Sequence, residues 1–466
     1  MKVIQLLTAW CLLFMGNTAK AIDNDSIRLA QKGVPILSVR TVDEEMPTCD
    51  FVWAPEGYNG ISIINNNKVP GRVILTEGDS TLYDSGEYEK KTSGMTIRIR
   101  GNTSVYYYSK KPYKIKLEKK NDLLNRGDSC YYDREWILIH DGDYRLHTML
   151  GLKLNELLGL GGWTPSYKFV NLIFNGTYEG VYMLLESVKR NKDCRINVDK
   201  ASGYLIERDS YWWNEDIYFK TPLNKEYTFK YPDSDDLLSE QLYYIRSFIL
   251  RMEKAIEAGS YDDIIDTRSF ATWLLAHDIL GTSDSGGANI YLTKYDSSDT
   301  TKLYMSTMWD FDSCFKNDSK WARIHESSFF YFPLLFSSDN KSFSNLYCQL
   351  WEELSDSIFT QMENYLQEYL TSDECSMLDA SRVFDAQRWN YYRVPVKTNI
   401  NDALKWFRER KTWLDTQIRQ IETKATAVQY QERRSHPTYN LQGIQLKQAG
   451  LHHGIYIVNG RKRIIK

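Results

Sequence analysis

Beyond its first two dozen positions, the sequence has no run near the roughly 18 apolar residues that a membrane-spanning helix requires. Nor does it carry a marked excess of either charge. Its 58 Lys and Arg against 61 Asp and Glu give a formal charge of −3, which excludes non-specific wrapping of nucleic acid. Cysteine is sparse, with 7 in 466 residues, and no C-x-x-C spacing is present, which excludes a zinc cluster. Six of these cysteines follow residue 21: Cys49, Cys130, Cys194, Cys314, Cys348 and Cys375. An even number permits disulfides, but the long, irregular spacings read more simply as buried thiols.

What is there begins with an export leader. Lys2 supplies a charged start, residues 4–15 an apolar stretch too short to cross a bilayer, and Ala19-Lys20-Ala21 a small-x-small cleavage site. Cys11 has no small residue just before it, which argues for a free soluble protein rather than a lipoprotein. The expected location is the periplasm, the cell surface or the medium. Loss of Lys2 and Lys20 with the leader takes the formal charge from −3 to −5. The full sequence is 42% hydrophobic and 26% charged, enough for a packed core of two lobes. Its 33 Tyr and 13 Trp fit either a tyrosine-rich core or a binding surface.

Residues 33–186 read mostly as strands, short β-rich runs between turn clusters such as Asn65-Asn66-Asn67 and Asp84-Ser85-Gly86. Asn175-Gly176, between apolar runs at 167–174 and 180–185, signals a hairpin. Residues 145–158 have apolar helical spacing, ended by Gly159 and Gly161-Gly162. From about Leu237 the spacing becomes helical, over 237–258, 270–280, 344–370 and 400–423, with one two-stranded insert near 290–309. A β-rich half followed by an α-rich half predicts an α+β chain rather than alternating βαβ units. The expected divisions are a leader at 1–21, a β-rich N-terminal lobe at 22–186, an α-rich C-terminal lobe at 187–425, and a linker with a β-hairpin tail at 426–466. That tail resembles the C-terminal tails of exported Bacteroidales proteins. A plain hairpin docked on the main domain fits as well.

Asp284-Ser-Gly-Gly-Ala-Asn289 has the Asp-x-x-x-x-Asn spacing of a protein-kinase catalytic loop. There the Asp accepts the proton of the attacking hydroxyl and the Asn holds a metal ion. A glycine-rich turn has the same composition. Trp309-Asp310-Phe311-Asp312 ends a strand read at 303–309, and its partner strand at 290–295 starts just after Asn289. An antiparallel hairpin sets the start of one strand beside the end of the other, so Asn289 and Asp310 meet, with Asp284 just upstream. Three such groups converging on one point are what a Mg²⁺–phosphate site needs. The plainer alternative is an Asp that caps the following segment. Arg98 and Arg100 share one face of a strand, and Lys114 and Lys116 one face of the next. Like charges opposed across a sheet repel, so these four cations call for ligand phosphates, protein carboxylates or solvent salt.

Arg100-Gly-Asn-Thr-Ser104, Lys110-Lys-Pro-Tyr-Lys-Ile-Lys-Leu117, Trp136-Ile-Leu-Ile139, Gly180-Val-Tyr-Met-Leu-Leu-Glu186, Gly203-Tyr-Leu-Ile-Glu207 and Trp309-Asp-Phe-Asp312 occur in that order. With them the sequence resembles the spore-coat-protein-H (CotH) family over residues 34–425. The resemblance implies an atypical two-lobed protein-kinase-like fold. It also implies transfer of the ATP γ-phosphate to Ser or Thr of a protein substrate, with Mg²⁺ or Mn²⁺. By the same resemblance Asp284 is the catalytic residue, and Asn289 and Asp310 are the metal ligands. Lys114 or Lys116 holds phosphates, Arg98 and Arg100 flank the nucleotide, Glu186 lies near the hinge, and Glu207 pairs with a cation. Asp141 and Arg145 match a family Asp…Arg pair. The sequence departs from the kinase pattern in three places. It has no G-x-G-x-x-G, Thr282-Ser283 replaces the His-Arg before the catalytic Asp, and the third residue after Asp310 is not Gly.

Three classes of function follow. One is an active metal-dependent kinase. A second is a pseudokinase-type coat or surface assembly protein without phosphoryl transfer. The third is a carbohydrate-associated surface protein that uses its aromatics. The Asp284, Asn289 and Asp310 set favours the first, and no aromatic repeat supports the third.

Overall fold

The computed structural model describes residues 33–140, 145–282, 289–316, 320–323 and 330–434, with short strands at 438–439, 445–446, 454–458 and 461–465. The leader at 1–21, Asp141, Asp284 and the side chain of Arg145 lie outside what is described. The described helices are α1 (Thr103–Tyr107), α2 (Arg145–Leu158), α3 (Ser239–Glu257), α4 (Thr267–Leu280), α5 (Phe332–Ser337), α6 (Ser342–Leu370), α7 (Asp373–Trp389) and α8 (Val396–Arg434). The chain divides into two compact units. The first takes the described residues up to Leu146 with Pro165–Arg195 and Tyr365–Asn401. The second takes His147–Thr164, Ile196–Asn364 and the described residues from Asp402.

In the first unit the strands are β1 (Ile36–Thr41), β2 (Asp50–Trp53), β3 (Ile61–Ile64), β4 (Val69–Glu77), β5 (Ser80–Asp84), β6 (Met95–Ile99), β7 (Tyr113–Asn121), β8 (Asp133–His140), β9 (Tyr167–Phe174) and β10 (Thr177–Glu186). In β1, β4, β6 and β7 the side chains alternate, as the two-residue period of a half-buried strand requires, whereas β9 and β10 are buried on both faces for most of their length. In β6, Met95, Ile97 and Ile99 are buried while Thr96 and Arg98 face outward, and β7 repeats this with Tyr113, Ile115 and Leu117. The sheet runs β1-β9-β10-β8-β7-β6-β4, and β1 pairs again with β4. Seven strands therefore close into a barrel around Leu37, Val73, Ile97, Ile115, Trp136 and Leu184. The β-rich character expected here is present. The barrel closes because β1 uses both its edges, pairing with β9 on one and β4 on the other, a form of β-rich lobe that typical kinases do not have.

Helix α7 docks on this barrel by polar contacts. Asp385, fully buried, receives the Lys110 ammonium at 2.6 Å, the Val181 N–H at 3.0 Å and the Tyr391 hydroxyl at 2.5 Å. Lys110 also donates to Val181 O at 2.7 Å. Gly180, with φ of +100°, makes the approach possible, since a Cβ there would collide with the Asp385 carboxylate. One turn earlier Ser381 Oγ accepts from Val34 N–H, and one turn later Arg388 donates to Tyr178 O. The buried residues of α7 include Ser381, Arg382 and Asp385 beside Cys375 and Leu378. No apolar stripe marks it, and the periodic reading passed over it. Its caps are nevertheless written in the sequence. Ser372 accepts from Cys375 N–H, Asp373 and Glu374 open the first turn, and left-handed Asn390 follows the last.

In the second unit β11 (Tyr204–Arg208), β12 (Tyr218–Lys220), β13 (Glu226–Tyr231), β14 (Ile290–Lys294) and β15 (Leu303–Met305) form one antiparallel sheet, ordered β12-β13-β11-β14-β15. The two-stranded insert expected near 290–309 is thus the edge of a five-stranded sheet. The β11–β14 pairing joins residues more than eighty positions apart, beyond the reach of a local pattern. Helices α3 and α4 match the spacing read at 237–258 and 270–280. Every residue of α4 from Phe270 to Leu280 is buried, the signature of a core helix. The short strands β16 (Thr438–Tyr439), β17 (Gln445–Leu446), β18 (Gly454–Val458) and β19 (Arg461–Ile465) pair as a four-stranded sheet rather than a lone hairpin. No disulfide joins the described cysteines.

Asp385→Ala would leave the Lys110 ammonium buried without its carboxylate and is expected to lower stability by about 3–5 kcal/mol. The paired change Lys110→Met with Asp385→Leu removes both charges and should lose clearly less. Urea unfolding of the full double-mutant cycle measures the difference.

Candidate functional site

In the second unit the β14–β15 register, Leu292 opposite Met305, sets the residue before β14 beside the segment that follows β15. Asn289 Nδ2 donates to Asp310 Oδ2 at 3.1 Å. The convergence read from the sequence is therefore present for these two residues, although β15 ends at Met305 rather than at Trp309. Both residues hold left-handed backbone, with φ of +55° at Asn289 and +63° at Asp310. Non-glycine residues rarely adopt this region and do so where surrounding contacts impose it. Asp312, two residues on, is exposed, whereas Asp310 is half-buried.

Around Asp310 those contacts come from α2 and the turn after it. Phe311 is buried against Gly151, where any Cβ would overlap the Phe311 ring. Asn155 is fully buried. Its Oδ1 accepts the Met308 N–H at 2.9 Å, while Nδ2 donates to Thr164 Oγ1 at 2.6 Å and to Trp163 O at 3.3 Å. Helix α2 thus grips the chain on both sides of Asp310, at Met308 before it and at Phe311 after it. The sequence reading missed Gly151 and Asn155. Each left a signal: a glycine in mid-helix, and an amide on the helix's apolar face.

A divalent cation of the Mg²⁺ type takes oxygen ligands, commonly one or two from protein carboxylates and the rest from substrate phosphates and water. The Asp310 carboxylate beside the Asn289 amide suits that pattern, because turning the amide presents its oxygen next to the carboxylate. Among the described residues no group of three or more His, Cys, Asp or Glu stands ready as an all-protein cage. Asp284 falls outside the described residues, between the end of α4 and Asn289. Glu207 lies on β11 with Lys230 Nζ 2.8 Å away, the cation partner expected for it. Burial pushes the Glu207 carboxyl up to about 7 despite that lysine.

In the first unit the outward face of the barrel carries the basic cluster. Strand pairing sets Arg98 opposite Lys114 and Thr96 opposite Lys116. Lys116 in turn faces Glu135 on β8. Lys68, Thr96, Arg98, Lys114, Lys116 and Glu135 line a small pocket that opens to solvent. Lys114 Nζ pairs with Glu135 Oε2 at 3.1 Å, and Lys189 reaches the same oxygen at 3.4 Å. Burial alone would raise Glu135, but Lys114 and Lys189 outweigh it and hold the carboxyl at about 2. Burial lowers Lys114, with Arg98 adding to the effect and Glu135 opposing it. Four cations against one carboxylate leave this face in need of anions. Lys68 and Glu135 were not foreseen, because only the strand register, for Glu135, and the folded pocket, for Lys68, bring them beside the lysines.

Two expected ligand residues stand elsewhere. Arg100 follows β6, with its N–H on Pro112 O at 3.1 Å, and is not among the residues lining the pocket. Glu186 is fully buried, with Arg126 at 3.2 Å on one oxygen and the Ser166 N–H at 2.9 Å on the other.

No curated protein matches the chain. Among solved structures it is similar to the Helicobacter pylori proinflammatory kinase CtkA, at 11% identity over 68% of this chain and 95% of that one. The TM-score of 0.26 is too low for this likeness to speak to the fold. The family model described as CotH kinase protein matches residues 97–414, well over half of the sequence and spanning Arg98, both barrel lysines, Asn289 and Asp310. The chain belongs to the CotH kinase protein family.

Proposed function

We propose that this chain is an exported, metal-dependent protein kinase of atypical two-lobed, kinase-like architecture. It moves the ATP γ-phosphate onto a Ser or Thr hydroxyl of a protein substrate. The observation that carries this reading is the Asn289–Asp310 contact, two oxygen-bearing side chains held together on left-handed backbone. Asp310 and Asn289 would hold Mg²⁺ or Mn²⁺, which neutralises phosphate charge when bound. Asp284 would take the proton of the attacking hydroxyl as its oxygen bonds to phosphorus and the bond to the ADP oxygen breaks. The cations of Arg98, Lys114 and Lys116 would bind the polyphosphate. Glu135 would orient Lys114, much as a glutamate orients the phosphate lysine in other kinases.

Labelled ATP with Mg²⁺ or Mn²⁺, offered to the full chain with casein as acceptor, tests the reading directly. Label on Ser or Thr that disappears with EDTA is expected. Metal-independent nucleotide binding without transfer would instead favour the pseudokinase. Asp310→Ala is expected to lower transfer by about a hundredfold or more, and the exposed Asp312→Ala by far less. Equal losses would show that the ligand has been misplaced.

Lys114→Met and Lys116→Met separate binding from folding. Each removes charge-assisted bonds to phosphate and should weaken ATP binding by roughly 10- to 100-fold in calorimetry. Their melting temperatures should diverge. Lys116→Met relieves like-charge crowding and should hold or raise it. Lys114→Met strips Glu135 of its closest cation and should lower it.

Asn155→Ala frees the segment before Asp310. The Mg²⁺ concentration needed for half-maximal transfer should rise by about 10- to 100-fold, the usual cost of losing a supporting contact around a metal site. Asn155→Asp keeps an acceptor for the Met308 N–H and should recover most of that loss. A purely structural role would change melting temperature without moving the Mg²⁺ dependence.

A further inference from the structure

Within the first unit, two segments separated by some fifty positions bring exposed aromatic rings together. Hairpin β2–β3 contributes Phe51 and Trp53, and α1 contributes Tyr106 and Tyr107. Tyr106 stands at the centre, with edge-to-face contacts to Phe51 at 5.3 Å, Trp53 at 5.6 Å and Tyr107 at 5.1 Å between ring centroids. Each edge-to-face contact covers part of one ring, and the flanking rings keep most of their surface open. Trp53 remains 61% exposed, Tyr107 65% and the neighbouring Tyr108 53%. What sets this cluster apart from the ring clusters of the interior is its exposure, and a contiguous exposed aromatic patch marks a contact surface.

The patch is rigid. Asn102 Oδ1, just before α1, accepts from Ser62 Oγ at 2.9 Å and from Ile63 N–H at 3.4 Å, which ties α1 to β3. Lys111 Nζ donates to Val105 O at 2.5 Å and to Tyr108 O at 2.6 Å, closing the end of the helical turn. Aromatic side chains on pinned backbone lose little entropy when a ligand lands on them.

The chemistry of the patch narrows its ligand. The two lysines beside the tyrosines are engaged, Lys110 with Asp385 and Lys111 with backbone carbonyls, so no ammonium is offered to an anion. The aliphatic neighbours Val105 and Ile61 are buried, and the rings stand proud instead of walling a pocket. A protein hot spot differs on both counts, being a desolvated pocket rich in arginine as well as aromatics. Flat, electron-rich faces with phenol hydroxyls at their tips suit a ligand whose C–H face is weakly positive and whose rim is hydroxylated. We propose that Trp53, Tyr106 and Tyr107 form a platform that stacks the sugar rings of a neutral glycan, a second binding function separate from phosphoryl transfer.

Affinity electrophoresis of the full chain tests this, in native gels cast with a panel of neutral polysaccharides: hydroxyethylcellulose, galactomannan, laminarin and arabinoxylan. At least one gel should retard the wild-type chain. The double variant Trp53→Ala, Tyr107→Ala should weaken that binding by about tenfold or more while melting unchanged. The ring-retaining pair Trp53→Phe, Tyr107→Phe should keep most of it, and Tyr243→Ala, an exposed ring on α3, should keep all of it. Unretarded wild-type migration across the panel overturns the proposal, as does equal retardation of the double alanine variant. It is likewise overturned if the wild-type chain proves to be a dimer that the double alanine variant dissolves, since the patch is then a contact between copies.

Discussion

The buried contact between Lys110 and Asp385 is the constraint on which the first unit depends. Taking an ammonium and a carboxylate out of water is costly unless their remaining protons and lone pairs find partners. Here they do, on Val181 N–H, Val181 O and the Tyr391 hydroxyl. The arrangement exists only because Gly180 has no side chain. It fixes three stretches far apart in the chain: the entry to β7, the start of the buried run of β10, and helix α7. The first of these has a direct consequence for chemistry. Lys110 is four residues before Lys114, so the pair that anchors α7 also sets where β7 begins its alternation. That alternation turns Lys114 and Lys116 to the outside of the barrel while Tyr113, Ile115 and Leu117 fill it.

A different kind of constraint operates in the second unit. Asn289 and Asp310 hold backbone conformations that cost on the order of 1–3 kcal/mol each for residues with a side chain. Such positions persist when their surroundings over-determine them. Around Asp310 these are the notch at Gly151 that receives Phe311 and the Asn155 amide that holds Met308 N–H. Helix α2 thus acts on this metal-ligand candidate through the chain on either side of Asp310, without contributing a ligand itself.

The two surfaces of the first unit sort their chemistry. Cations gather outside the barrel, where Lys68, Arg98, Lys114 and Lys116 line one pocket with Glu135 as its carboxylate. Aromatics gather on β2 and α1, where the nearby ammonium groups are engaged within the protein. One surface suits a polyanion and the other a neutral ligand. Neither is complete in any one run of the sequence, since each is assembled from segments that only strand pairing or helix docking brings together.

Local periodicity was enough for much of this protein. Alternation in 95–99 and 113–117, the Asn175-Gly176 turn and the apolar spacing of α2, α3 and α4 are properties of neighbouring residues, and they were legible because burying one face of one element needs no partner to be named. The meeting of Asn289 with Asp310 was legible for the same reason, as the two ends of one hairpin. Helix α7 was not legible by that route, because its docking face is built from Ser381, Arg382 and Asp385 and has no apolar period. Closure of the barrel, the β11–β14 pairing, and the roles of Lys68, Glu135, Gly151 and Asn155 were decided by tertiary structure alone. Each depends on which distant backbone lies alongside, and that choice is made by burial and polar satisfaction summed over the whole fold rather than by any residue's own neighbours.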